Sequence, residues 1–447
     1  MRILWICNIM LPRVAEHLGL TASNKEGWLT GLSDTILKDQ KDNHIELAVA
    51  FPVESPLAKQ KITVPAKDEK GALTCYAFVE DTNHPEAYPA DLEEQIKAIV
   101  EDWKPDVVHC FGTEFPHTLA ATRVCPGEKV LIGIQGLCKI YAESYLANLP
   151  KRVIDRVTFR DALKKDSIRM QHAKFIRRGE HEIEAVRNTG HVTGRTWIDK
   201  KFTMETNDKL QYHFMNETLR SNFYEGKWDL EKCEKHSMFL SQGDYPIKGL
   251  HYMLKALPKI LESYPDAKVY VAGNSIVNYK TLKDKIKISS YGKYIRELMK
   301  KNQLEDKVIF LGKMNAEEMK EQYLRCMTFV CPSVIENSPN SLGEAMLLGV
   351  PCVTAEVGGI TSIFFNGKDG IAYPGYGSPE YDEEQDKESA QARVLAHAVL
   401  RMWSDEEKLK EYSANASAHA ARTHDGQANY KRLLEIYEEI TNKNHEG

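Results

Sequence analysis

CPSVIENSPNSLGEAMLLGVPCVTAEVGGI, residues 331–360, is the stretch on which the fold turns. An apolar strand ends near Ser333, a loop carries Glu336, and a helix begins near Ser341 with Glu344 in its first turn. A second apolar strand, PCVTAE, then runs into Gly358 and Gly359. Strand, helix and strand in about thirty residues make a βαβ unit, and such units build parallel sheets covered by helices.

The same alternation extends outward in both directions. SMFLS, AKVYVAG, KVIFLG, MTFVCPS, PCVTAE and GIAYP are short runs rich in β-branched or aromatic residues in the second half of the chain. RILWI, IELAVAF, LTCYAFV, DVVHCF and KVLIGI repeat the scheme in the first half, with helical patterns at residues 89–103 and 115–123. Two doubly wound α/β units are therefore predicted, facing across a cleft. Residues 205–235 are polar and aromatic without long periodicity, which puts the boundary near residue 228. After about 387 the chain is almost purely helical, and Tyr430, Leu433, Leu434 and Tyr437 recur at helical spacing.

The composition suits that architecture. At 447 residues the chain is long enough for two or three domains, and 42% hydrophobic with 28% charged residues is ordinary for a folded protein. Lys and Arg number 59 against 64 Asp and Glu, a formal charge of −5, which gives no basic footprint for nucleic acid. Nine scattered cysteines, never spaced Cys-x-x-Cys, argue against a disulfide framework or zinc knuckle and for a reducing, cytoplasmic setting. The opening MRILWICNIML reads as a first strand: it has one basic residue, an internal Asn8 and then Pro12. There is no Gly-x-Gly-x-x-Gly after that strand, no Walker loop and no Gly-x-Ser-x-Gly elbow.

In open α/β sheets, ligands sit beyond the carboxyl ends of the strands. Glu336 and Glu344 fall there, eight residues apart, around a helix N-terminus whose N–H groups suit a phosphate. Carboxylates on either side can accept hydrogen bonds from sugar or ribose hydroxyls. Ser341 and Glu344 also read as Ser-x-x-Glu, a capping box that needs no ligand. No Asp-x-Asp loop or ligand cluster accompanies the site, so no metal and no other cofactor is expected.

The block from Glu336 to Tyr373, with its Glu-x7-Glu spacing, GEAM, GVPCV and Gly-Gly, resembles the family 4 glycosyltransferases, retaining enzymes of the GT-B fold. The resemblance implies that Glu344 holds the nucleotide ribose and Glu336 the donor sugar, with backbone N–H groups of Asn340, Ser341 and Leu342 on the diphosphate. It also implies domains at 1–228 (acceptor) and 229–422 (nucleotide sugar), with a helix at 423–447 crossing back to the first. FLSQGDYPIKGL, residues 239–250, looks like the family's Gly-Arg…Lys-Gly loop: Lys248 and Gly249 match, while Gly243 stands where a phosphate-binding arginine is usual. Lys248 and Glu336 are then the catalytic candidates. On the acceptor side stand Gln135, where relatives commonly carry a histidine, His109 at a strand end, and Gly27 before the first long helix.

The implied reaction is hexosyl transfer from a nucleotide sugar to a saccharide or lipid-linked glycan, in cell-surface polysaccharide synthesis. An epimerase using the same donor, or a non-catalytic sugar-nucleotide-binding subunit, is the alternative. Residues 151–178 hold ten Lys or Arg against three Asp. That run reads either as a solvated helix face or as a peripheral contact with the inner membrane face.

Overall fold

The computed structural model describes residues 1–446 apart from 21–26, 41–43, 55–56, 58–59, 67–70 and 279–280, and all their side chains except those at 27, 28, 283 and 443–446. The chain divides into two compact units. The first comprises 1–139, 175–221 and 424–447, and the second 140–174 and 222–423.

The first unit is built on an eight-stranded sheet: β1 (Arg2–Ile6), β2 (Glu46–Val53), β3 (Lys61–Val64), β4 (Leu73–Val79), β5 (Val107–Phe111), β6 (Val130–Gly133), β7 (His191–Gly194) and β8 (Gln211–Phe214). The order is β3-β4-β2-β1-β5-β6-β7-β8, parallel except for β3 at the edge. Central strands such as β1 and β5 are buried along their length, which is why they read as unbroken apolar runs. The last helix, Gly426–Glu446, belongs to this unit and contributes Tyr430, Leu433, Ile436, Tyr437 and Ile440 to its core.

The second unit has six parallel strands: β9 (Glu234–Leu240), β10 (Lys268–Ala272), β11 (Val308–Gly312), β12 (Cys326–Cys331), β13 (Cys352–Glu356) and β14 (Gly370–Pro374). Their order, β11-β10-β9-β12-β13-β14, is the 3-2-1-4-5-6 arrangement of a Rossmann unit, and its direction reverses between β9 and β12. Phe239, Tyr323 and Phe329 pack together beneath that reversal, Tyr323 meeting both phenylalanines edge-on. The two α/β units expected from the strand pattern are thus present.

The division differs from a single boundary at 228. Residues 140–174 cluster with the second unit because Arg152 and Arg156 both pair with Glu297 and the Asp161 carboxylate accepts the Ser290 N–H at 2.9 Å. Residues 222–228 also go with the second unit: the Trp228 indole N–H donates to the Cys326 carbonyl. All nine cysteines are buried thiols. Among the described residues, no helix is long and apolar enough to cross a membrane.

Candidate functional site

The reversal of strand order leaves a crevice outside the carboxyl ends of β9 and β12, and the two loops that follow these strands meet there. The Val334 N–H donates to the Ile247 carbonyl at 2.7 Å. Gly249, at φ +71, brings its α-carbon so close to the Pro332 carbonyl that a Cβ would lie 1.9 Å from that oxygen. Only glycine permits both the left-handed backbone and the approach. The helix Leu250–Ser263 starts immediately afterwards.

This backbone contact sets Lys248 against Glu336. The ammonium Nζ lies 2.6 Å from Glu336 Oε1, and the Ser333 hydroxyl donates to the same oxygen at 2.8 Å. The Glu336 side chain is 7% exposed and that of Lys248 is 21% exposed, so the pair is shielded yet reachable. Burial works against the lysine's charge, but Glu336, followed by the Tyr245 and Tyr141 phenols, outweighs it and raises the Lys248 pKa well above its ordinary value. Lys248 is therefore a fixed cation at neutral pH, able to stabilise an anion but poorly suited to donate a proton.

Gly358 and Gly359 secure Glu336 from the other side. The Gly359 N–H donates to the Glu336 carbonyl at 2.9 Å, and a Cβ on Gly358, at φ +52, would fall 2.1 Å from the same oxygen. The close approach that this Gly-Gly turn permits is thus made to the backbone of a site residue.

The helix Asn340–Leu347 starts three residues after Asn337, with Pro339 at its N-cap and no capping hydrogen bond from a side chain. Ser341 is its second residue and Glu344 its fifth, so the Ser-x-x-Glu pattern does not form a capping box. The Leu342 N–H already donates to the Pro339 carbonyl at 3.0 Å. The N-terminal amides ahead of it belong to Asn340 and Ser341, and the Ser341 carbonyl accepts the Tyr323 hydroxyl. Glu344 is buried, at 3% exposure, on the second turn.

Gly243 lies in the loop after β9, five residues before Lys248. A Cβ there would lie 2.7 Å from Val271 Cγ1 and 2.9 Å from Leu250 Cδ2, pointing into the core. A side chain at this position would have to displace the ends of Val271 and Leu250.

In the first unit the acceptor-side candidates are held in different ways. His109 is fully buried in β5, stacked on Phe111, with Nδ1 2.8 Å from the Tyr437 hydroxyl, which also accepts the Trp5 indole N–H at 2.8 Å. Burial pushes its pKa down to about 3, so it is a neutral core histidine rather than a wall open to ligand. Gln135 donates to Glu217 Oε1 at 2.6 Å, and Arg195 pairs with that same oxygen at 2.8 Å. With His109, Gln135, Thr193, Arg195 and Glu217 around it, a cavity of about 10 Å³ remains, room for one water. Gly27 opens the helix Gly27–Lys38, and its surroundings lie outside the described residues. No sequence motif assigns Ser333, Arg195 or Glu217 to a site: Ser333 marks only the end of an apolar strand, and Arg195 and Glu217 come from separate loops, after β7 and β8.

Two Rossmann-type units, the second with a charged pair at its strand-order reversal, define an α/β protein with the architecture of GT-B glycosyltransferases. Residues 224–419, a stretch that falls within the second unit, match the family described as Glycosyl transferases group 1. An uncharacterised glycosyltransferase of Methanocaldococcus jannaschii is 33% identical over 142 residues, 32% of this chain and 32% of that protein. The curated relatives are matched over about a third to under half of their own length. Sucrose-phosphate synthase of Thermosynechococcus elongatus shares the fold, with TM-score 0.66 and 13% identity, covering 98% of this chain and 99% of that one. HepE of Anabaena, solved in complex with UDP-glucose, does so with TM-score 0.62 and 14% identity over 98% and 100%.

Proposed function

We propose that the chain is a retaining hexosyltransferase, taking its sugar from a nucleotide diphosphate donor and delivering it to a hydroxyl of a saccharide or lipid-linked glycan in cell-surface polysaccharide synthesis. The observation that carries the reading is the Lys248–Glu336 pair beside the N-terminus of the helix Asn340–Leu347. In this reading the diphosphate lies between the Lys248 ammonium and the Asn340 and Ser341 amides, where charge builds as the glycosidic bond breaks. Glu336, its Oε1 taken by Lys248 and Ser333, offers its second oxygen to donor-sugar hydroxyls, and Glu344 holds the ribose. The departing phosphate takes the acceptor's proton, giving substitution on the same face. The cation is supplied by the protein, so turnover proceeds without a metal.

The group 1 match and the HepE complex support a nucleotide-sugar donor. Activity in the cytoplasm, with peripheral attachment to the inner membrane face through residues 151–178, belongs to the same reading. The test is thermal-shift stabilisation by UDP, GDP, ADP and their sugar conjugates with EDTA present, followed by proton NMR of the anomeric configuration of the product. A shift from one nucleotide series and a product of the donor's configuration are expected. No shift from any nucleotide, an inverted product, or a strict metal requirement counts against the proposal.

A further inference from the structure

Two six-residue helices of the second unit share one pattern. Thr158-Phe-Arg-Asp-Ala-Leu-Lys-Lys165 and Thr281-Leu-Lys-Asp-Lys-Ile-Lys287 both place threonine at the N-cap, an apolar residue first, aspartate third, an apolar residue fifth and lysine sixth. Both close a complete capping box, Thr158 with Asp161 and Thr281 with Asp284. The helices, Phe159–Lys164 and Leu282–Lys287, pack side by side although more than a hundred residues separate them.

The apolar residues lie four apart, hence on one face of each helix, and that face is turned outward. Phe159 is 67% exposed, Leu163 75%, Leu282 77% and Ile286 45%. The inward side is polar: Asp161 is wholly buried, capping its own helix and accepting the Ser290 N–H at 2.9 Å. An amphipathic helix on a globular protein ordinarily does the reverse. Here a buried carboxylate anchors the first helix, and four large apolar side chains of the pair face solvent.

Charge says what covers them. The two segments, of eight and seven residues, carry six Lys or Arg against two Asp, and both aspartates are engaged as caps. Around them, four arginines of the basic run are in ion pairs: Arg152 and Arg156 with Glu297, Arg160 with Asp161 and Asp166, Arg169 with Asp155. Lys164, Lys165 and Lys287 are exposed beside the apolar face.

We infer that this helix pair docks on an anionic lipid bilayer, with Phe159, Leu163, Leu282 and Ile286 entering the headgroup–acyl boundary and the lysines lying on lipid phosphates. This deepens the peripheral-contact part of the proposed function, moving the contact from the basic run alone to a two-helix surface, and it does not depend on glycosyl transfer.

The experiment is cosedimentation of the full chain with vesicles of phosphatidylcholine alone and with one third phosphatidylglycerol, for wild type and three double variants. These are Phe159→Ser with Leu163→Ser, Leu282→Ser with Ile286→Ser, and Lys164→Gln with Lys165→Gln. The wild type is expected to partition onto anionic vesicles at least about tenfold better than onto neutral ones, with salt weakening the binding. Each double variant should lower that partitioning at least about threefold while its thermal melt stays in place. Absence of wild-type binding, equal binding to neutral vesicles, or variants that bind like wild type would each overturn the inference. So would light scattering that shows a wild-type dimer converted to monomer by the serine pairs, since the surface would then belong to a second copy. Nucleotide thermal shifts on the same preparations report on the donor site, so the two proposals fail separately.

Discussion

Lys248 Nζ and Glu336 Oε1, 88 residues apart in sequence, lie 2.6 Å from one another where the strand order of the second unit reverses. The contact joins the loop after β9 to the loop after β12, and each loop is approached by a glycine, Gly249 or Gly358, on which a Cβ would run into a carbonyl oxygen. If Lys248 acts on developing charge, Lys248→Ala should lower kcat by about 100-fold or more while changing donor KM far less. Steady-state kinetics with the donor identified by thermal shift checks this. A rise in KM at constant kcat would instead make Lys248 a ground-state binding residue.

Glu344→Gln should weaken nucleotide binding by about tenfold or more, the loss of one charge-assisted hydrogen bond, while the protein remains folded. The expectation of intact folding follows from the geometry: Glu344 is the fifth residue of its helix, so no capping box is lost. Isothermal titration calorimetry measures the affinity and circular dichroism the fold. Equal affinity in variant and wild type would remove the ribose-binding assignment.

The glycines permit a sharper test of how the site is held. Gly249→Ala and Gly358→Ala each force a Cβ into a carbonyl oxygen and a side-chain residue into a left-handed backbone. Each should destabilise by about 2 kcal/mol or more, by urea unfolding, and should lower activity by displacing Lys248 or Glu336. Gly243→Arg is informative in the opposite sense. Introducing the arginine that related loops carry should not raise activity; it should destabilise through Val271 and Leu250.

Much of this was legible in the sequence because the central strands are buried on both faces and therefore read as apolar runs, as RILWI and MTFVC do. β3, β7 and β8 were missed for the converse reason: each has four residues, and HVTG and QYHF are polar. Their two histidines, His191 and His213, contact one another at 3.0 Å inside the sheet, a pairing that no local pattern announces. The placement of residues 140–174 depends on Asp161 meeting Ser290, 129 residues away. At the site, Glu-x7-Glu and Lys-Gly mark two loops that the structure brings into contact. The direction of Gly243 and the burial of His109 were invisible, because both depend on what lies beneath a strand end.

His109 gives the pH prediction. Its folded pKa is held down at about 3 by burial, whereas an unfolded histidine titrates near 6.5. Between those values the unfolded chain binds the proton and the folded chain does not, so stability falls as pH drops below about 6.5 and the loss continues toward 3. The slope from this one residue is at most about 1.4 kcal/mol per pH unit. The Trp5–Tyr437–His109 relay uses each proton once when the neutral imidazole carries its own on Nε2. Tyr437→Phe removes the shared hydroxyl, leaves a buried indole N–H and an imidazole nitrogen without it, and should cost about 2 to 4 kcal/mol. Urea titrations at pH 5 and pH 8, followed by tryptophan fluorescence, measure both effects. A His109→Phe variant whose stability falls between those pH values as steeply as wild type would show that the acid sensitivity arises elsewhere.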